Sequence, residues 1–272
     1  MIGFLFAAFG VLFGFGTIQV RQFEHAAAVD IRSQLRGNAV VAVQTKMSGL
    51  LGAPLGEIKE ATIRAEDFQT DGLPLFVEPW RSKRGKVERL NIDLSNFDLG
   101  KLHVASLVAS IPDCRFDLGL ASRHRKIRLS QSGVGLGSVT IMDRDLEHFI
   151  LNKFHEIKKV TVRTEKGKVF IEGDGEFVIV KTHFNVIATL VSPDGHTLEL
   201  ANTRIFFDDK PADELARKAL LQTLNPVVDL QKDLKLYDAI TVKGIELENG
   251  RVRAWGDTKI PLSPNPPPGP GH

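Results

Sequence analysis

A single cysteine, Cys114, stands in a chain of 272 residues. That excludes an internal disulfide and any thiolate metal cluster. A nucleophilic thiol needs a partnered base. The context Ile111-Pro112-Asp113-Cys114-Arg115-Phe116 supplies no such motif and reads as a strand with a small, half-buried residue in it. Charge of one sign is not in excess either. Lys+Arg number 35 against 33 Asp+Glu, a net charge of +2, which argues against a general nucleic-acid-binding surface. G-x-S-x-G nucleophile elbows, H-E-x-x-H, Walker A and EF-hand loops are all missing. Gly133-Val134-Gly135-Leu136-Gly137-Ser138 has the glycine density of a phosphate loop. It leads into Val139-Thr140-Ile141, which is strand text, whereas a phosphate loop must open a helix whose N-terminal amides bind the anion. It reads as a turn. The 8 histidines are scattered. His148 and His155 share a helical stretch but lack the companions a zinc site needs. Asp93, Asp98, Asp143 and Asp145 are accounted for by capping and solvation. Catalytic residues, a cofactor and a metal are therefore not expected.

The composition is that of a folded protein, 43% apolar and 25% charged. Both ends differ from the rest. Ile2–Val20 carries no charge and is long enough to span a bilayer. It reads as an uncleaved anchor, with a cleaved signal peptide as the alternative. Arg21, Arg32 and Arg36 follow the run, so the positive-inside rule points the domain inward. The tail Ser263–His272 is rich in Pro and Gly and reads as extended chain. The expected division is an anchor over 1–20, one α+β domain over 21–260 and a disordered tail over 261–272.

Between the ends, residues 21–36 have helical character, with Gly37 as the stop signal. Strands are expected at Ala39–Val43, Ile58–Ala65 and Val87–Leu94, where Leu90, Ile92 and Leu94 alternate with Arg89, Asn91 and Asp93. A helix over Asp143–His155, N-capped by Asp143, places Leu146, Phe149, Ile150 and Phe154 on one face. Turn signals then follow: Glu165-Lys166-Gly167, Gly173-Asp174-Gly175, Pro193-Asp194-Gly195 and Asn249-Gly250. A further helix spans Pro211–Leu224, with Pro211 in its first turn. The repeated order of helix and strands suggests two similar halves.

The stretch Phe177–Leu190 is the longest expected strand. Val178, Val180, Phe184, Val186, Ala188 and Leu190 share one face; Lys181, His183, Asn185 and Thr189 share the other. At ~3.3 Å per residue such a strand reaches roughly 46 Å and must twist. The fold expected is α+β: a long curved antiparallel sheet around a few amphipathic helices, the apolar face turned inward. An ordinary filled core behind that face is the alternative.

From Val139 onward the order of motifs resembles a known family. Val139-Thr140-Ile141-Met142-Asp143-Arg144-Asp145-Leu146 enters the helix, a hairpin set follows, and the closing run extends from Asn225-Pro226-Val227-Val228-Asp229-Leu230 to Trp255-Gly256. This is similar to the LmeA-like phospholipid-binding proteins of bacterial envelopes; the resemblance covers about Arg36 to Trp255. It implies a fold akin to the tubular lipid-binding class, an extracytoplasmic domain on a membrane tether, no enzymatic activity, and phospholipid held along an apolar face. That face is expected at Val178, Val180, Phe184, Val186 and Leu190. Headgroup or membrane contact is expected at Trp80, Arg81, Lys83, Arg84 and Lys86, where an interfacial ring stands among four cations. Arg123-His124-Arg125-Lys126-Ile127-Arg128 is a second basic stretch. The competing reading is a structural protein that spaces or docks a partner at the membrane.

Overall fold

The computed structural model describes residues 20–49, 52–177 and 180–264. The expected anchor over 1–20 lies, apart from Val20, outside them. Among the described residues no helix is long and apolar enough to cross a membrane.

The fold is α+β, but with two sheets rather than one. The first sheet runs in the order β1 (Arg36–Met47), β2 (Glu57–Thr70), β3 (Gly85–Leu99), β4 (Leu102–Phe116), β6 (Gly135–Met142), β14 (Arg251–Thr258) and β13 (Ile240–Glu248), with β5 (Leu129–Gln131) beside β4. The second runs β11 (Lys210–Pro211), β10 (Thr197–Phe207), β9 (Val180–Val191), β8 (Lys168–Phe177) and β7 (Ile157–Glu165), with β12 (Val228–Asp229) beside β10. Helix α1 (20–32) precedes β1; α2 (Gly52–Leu55), α3 (Leu118–His124), α4 (Asp143–Lys153) and α5 (Glu214–Leu224) follow. The first sheet takes strands from both ends of the chain, so the two halves are not alike.

The first sheet is not wholly antiparallel: β2 and β3 are parallel. A parallel pair needs a connection that returns along the sheet, usually a helix. Here residues 71–84 make the return as a strap, without helix or sheet apart from a bridge at Val77. Asp67 and Asn96 face each other across β2 and β3, both at positive φ (57° and 51°), with the Asn96 amide donating to the Asp67 carboxylate. Asn and Asp tolerate this conformation better than other non-glycine residues. Irregularities of this kind bend a strand.

The longest strands are β3 and β4, of 15 residues each, not the one expected from Phe177. That stretch is interrupted: Phe177 ends β8, pairs with Val180, and β9 begins there. Conversely, Gly173-Asp174-Gly175 makes no turn and lies within β8. A Cβ on Gly173 would sit 2.8 Å from the Phe184 ring and inside the Lys159 carbonyl oxygen. The glycine serves close approach, which in sequence looks like a turn signal. The Lys166-Gly167, Pro193–Gly195 and Asn249-Gly250 connections do join hairpins.

Three boundaries also shift. Gly37 lies in β1 at φ +82°, beside a register irregularity, rather than closing α1. Asp213 caps α5 by accepting from Ala216 N at 2.8 Å, leaving Pro211 in β11. Asp143 is the first residue of α4, not its cap. Its carboxylate accepts from the backbone N and the Oγ1 of Thr164, both at 2.7 Å. The Thr164 hydroxyl also lies 2.6 Å from the Glu248 carbonyl oxygen, so this cluster fastens the second sheet to the β13–β14 hairpin. Asp143→Ala removes two acceptors of buried donors and is expected to lower stability by about 1–3 kcal/mol, read as a reduced urea midpoint.

The chain beyond 260 is ordered further than expected. Val77 N donates to Pro261 O at 2.8 Å and Ser263 N to Val77 O at 3.0 Å. The strap thus holds residues 261–263 in place; 265–272 lie outside the described residues.

Candidate functional site

The core divides into two clusters. The larger gathers α4, α5, the second sheet and one end of the first sheet; the smaller gathers Ile58, Val87, Cys114, Phe116 and their neighbours at the other end. An apolar cavity lies between the clusters and draws its walls from both. Its floor is built from cross-strand rows. Thr45, Ala61, Leu90 and Ile111 form one row, Val43, Ile63, Ile92 and Ala109 the next. Leu94 and Leu107 belong to a third. Leu90, Ile92 and Leu94 are the alternating residues legible in the sequence. Leu90 is buried, while Ile92 and Leu94 are only half-buried because they face unfilled space.

The roof is α1 and the strap. Phe23, Ala27 and Ile31 of α1 and Leu73, Pro74 and Leu75 of the strap face the floor. Two polar ties fix α1. Glu24 Oε1 accepts from Thr45 N at 2.6 Å and from Thr45 Oγ1 at 2.9 Å. Asp30 Oδ2 accepts from Arg128 at 2.7 Å and from Ile127 N at 3.3 Å. Aromatic pairs stand at the two ends: Phe23 with Phe116 (centroids 6.1 Å apart), and Phe68 stacked on Phe97 (4.8 Å).

The open volume is about 170 Å³, and the cavity is partly open to solvent. An apolar cavity of roughly 150 Å³ stays dry and accepts apolar guests. The floor extends along β3 from Val87 to Leu99, which at ~3.3 Å per residue is roughly 40 Å. One acyl chain spans about half of a hydrocarbon layer, or ~15 Å. The apolar lining thus runs along the strands for more than the length of an acyl chain, around an open volume that matches a small apolar guest.

The apolar face expected on the later strand is elsewhere and is filled. Phe184 and Val186 are 0% exposed, in one core with Phe149 and Ile150 of α4 and Leu220 and Leu224 of α5. Leu190 borders a gap of about 20 Å³. Val178 and the Val180 side chain lie outside the described residues. The alternation was legible, but alternation marks an inward face without telling whether partners fill the space behind it. The true cavity could have been suspected from the small residues Ala61, Ala65 and Ala109 on long strands.

The expected headgroup residues divide. Trp80 is 45% exposed, and Lys83 and Arg84 are exposed. Arg81 pairs with Glu78. Lys86 lies in β3, 3.5 Å from Glu88. Arg128, from the second basic stretch, also reaches Glu78, at 3.6 Å. The two stretches, separated in sequence by most of β3 and all of β4, are therefore neighbours.

Cys114 is fully buried rather than half-buried, and burial pushes its thiol up to about 11. The thiol stays protonated at neutral pH. It is expected to resist disulfide reagents at mildly alkaline pH and to react only when denaturant opens β4, measurable by thiol titration. His183 contacts Asp174 at 3.0 Å in an exposed cross-strand pair that raises its pKa. No group of three His, Cys, Asp or Glu residues suited to a metal occurs among the described residues. Comparison with family models, with curated proteins and with solved structures gives no match to this chain.

Proposed function

We propose that this protein is a membrane-tethered, non-enzymatic phospholipid-binding protein of the bacterial envelope, holding an acyl chain in the cavity between α1, the strap and β1–β4. The observation that carries this reading is an elongated apolar space separating two otherwise well-packed clusters. Such a gap leaves wall atoms without contact partners, and an occupant restores them. A chain leaving a bilayer for this space stays in apolar surroundings, so transfer demands little hydrophobic free energy; fit decides it. The uncharged run Ile2–Val20 supports a tether, since it is long enough to span a bilayer and directly precedes the charged part of the chain at Arg21. The resemblance to the LmeA-like family and a tubular lipid-binding fold belong to the same proposal, supported by the long bent strands.

Lipid analysis of the full chain, purified in mild detergent, tests it. About one phospholipid per chain is expected to survive purification and appear in native mass spectra. A protein that carries none, and takes none up from phosphatidylglycerol vesicles, would count decisively against the reading. The docking alternative draws on the filled core behind Phe184 and Val186, which leaves the second sheet without room for a ligand.

A further inference from the structure

Five cations without an ion-pair partner among the described residues collect at one end of the first sheet. Lys83 and Arg84 directly precede Gly85, which pairs with Phe116 at the end of β4. Arg123, Arg125 and Lys126 close α3 or follow it, and all five are exposed. The two segments are held side by side: Glu78 N donates to Leu129 O at 2.7 Å, and the Arg128 guanidinium reaches the Glu78 carboxylate at 3.6 Å. The acidic groups nearby are largely engaged. Glu78 and Asp30 pair with Arg81 and Arg128, Glu88 with Lys86, and Asp117 caps α3; Glu57 and Asp113 are exposed exceptions. Trp80 stands exposed beside the cations. The Phe23–Phe116 contact puts the N-terminal part of α1 at this same end.

We infer that this end of the sheet docks on an anionic bilayer surface, so that the domain stands end-on with β2, β3 and β4 running away from the membrane. The inference rests on the lipid-binding reading and gives it a direction. The cations occupy the end where Phe23 of α1 meets Phe116, and Phe23 stands three positions after the uncharged run Ile2–Val20. Attraction to anionic lipid and tethering at the head of α1 therefore act on one surface. A cation within a Debye length of such a surface favours the bound state by about fivefold. Interfacial placement suits the Trp80 ring. Flat docking on the outer face of the sheet, where Val108, Leu136 and Trp255 are exposed, is the arrangement this excludes.

The chain contains 2 tryptophans, one on each of these surfaces, which allows a direct test. Full chains carrying Trp255→Phe or Trp80→Phe are reconstituted into phosphatidylcholine vesicles with and without phosphatidylglycerol, with a headgroup-linked quencher. Trp80 is expected to be quenched strongly in the anionic vesicles, less as salt rises, and Trp255 little in either. Changing Lys83, Arg84, Arg123, Arg125 and Lys126 to Gln should lower the docked population at least tenfold, from about fivefold per cation. Equal quenching of both rings, or quenching of Trp80 that ignores the charge changes, overturns the inference. Docking without lipid uptake by the unaltered chain would sink the cavity reading alone, whereas lipid uptake without Trp80 quenching would sink end-on docking alone.

Discussion

Val186→Arg should abolish folding. Val186 is 0% exposed in the middle of β9, paired with Ile171 and Ile205 on either side. It belongs to one core with Phe149 and Ile150 of α4 and Leu220 and Leu224 of α5, and the gap that Leu190 borders is about 20 Å³. A guanidinium there is cut off from solvent among apolar side chains, and it cannot shed its proton to become neutral. Burying an unpaired charge costs several kcal/mol even after relaxation. A domain has about 5–15 kcal/mol in total. The expected result is insoluble or degraded protein, or a soluble chain without a cooperative thermal transition. If the variant folded and melted near the parent, this face would have slack, and the acyl site would have to be sought there after all.

Gly256→Val is expected to be nearly as damaging, for a backbone reason. β13 carries a register irregularity between Val242 and Gly244, opposite Gly256. A Cβ on Gly256 would fall inside the Thr241 carbonyl oxygen and 2.8 Å from the Thr241 carbonyl carbon. Backbone cannot turn away as a side chain can, so the β13–β14 pairing must open. Overpacking together with a lost ladder hydrogen bond gives roughly 2–4 kcal/mol. Urea unfolding of the variant should show a much lower midpoint, with Gly256→Ala already clearly affected. A midpoint within error of the parent would mean that the β13–β14 pairing opens here at little cost.

Local features of the fold were largely legible in the sequence, and long-range ones were not. Lys166-Gly167 and Asn249-Gly250 marked their hairpins because two-residue turns need positive φ, which glycine adopts freely; the values are +78° and +81°. The buried face of α4 followed from its 3.6-residue period. Gly173 misled because a missing side chain looks the same whether it permits a turn or makes room for Phe184. The parallel pairing of β2 and β3 left no local trace, since partner choice depends on where the strap 71–84 runs. For the same reason the cavity was placed on the wrong sheet. Burial patterns tell which way a residue points, whereas emptiness depends on how thick the covering element is. Val186 shares its core with residues of two helices; over Ile63 and Ile92 the cover is one helix and an extended strap. The two basic stretches were visible singly, and their meeting at Glu78 was not.

The central claim is that the space above Ile63 and Ile92 holds an acyl chain. Both residues are half-buried and adjacent across the β2–β3 pair, so larger side chains there can grow into the cavity without displacing backbone. The most direct measurement is lipid stoichiometry by native mass spectrometry, comparing the full chain with its Ile63→Trp, Ile92→Trp variant at equal thermal stability. About one phospholipid per parent chain and almost none on the variant is the predicted result. Equal lipid on both would contradict it and place any bound lipid outside this cavity.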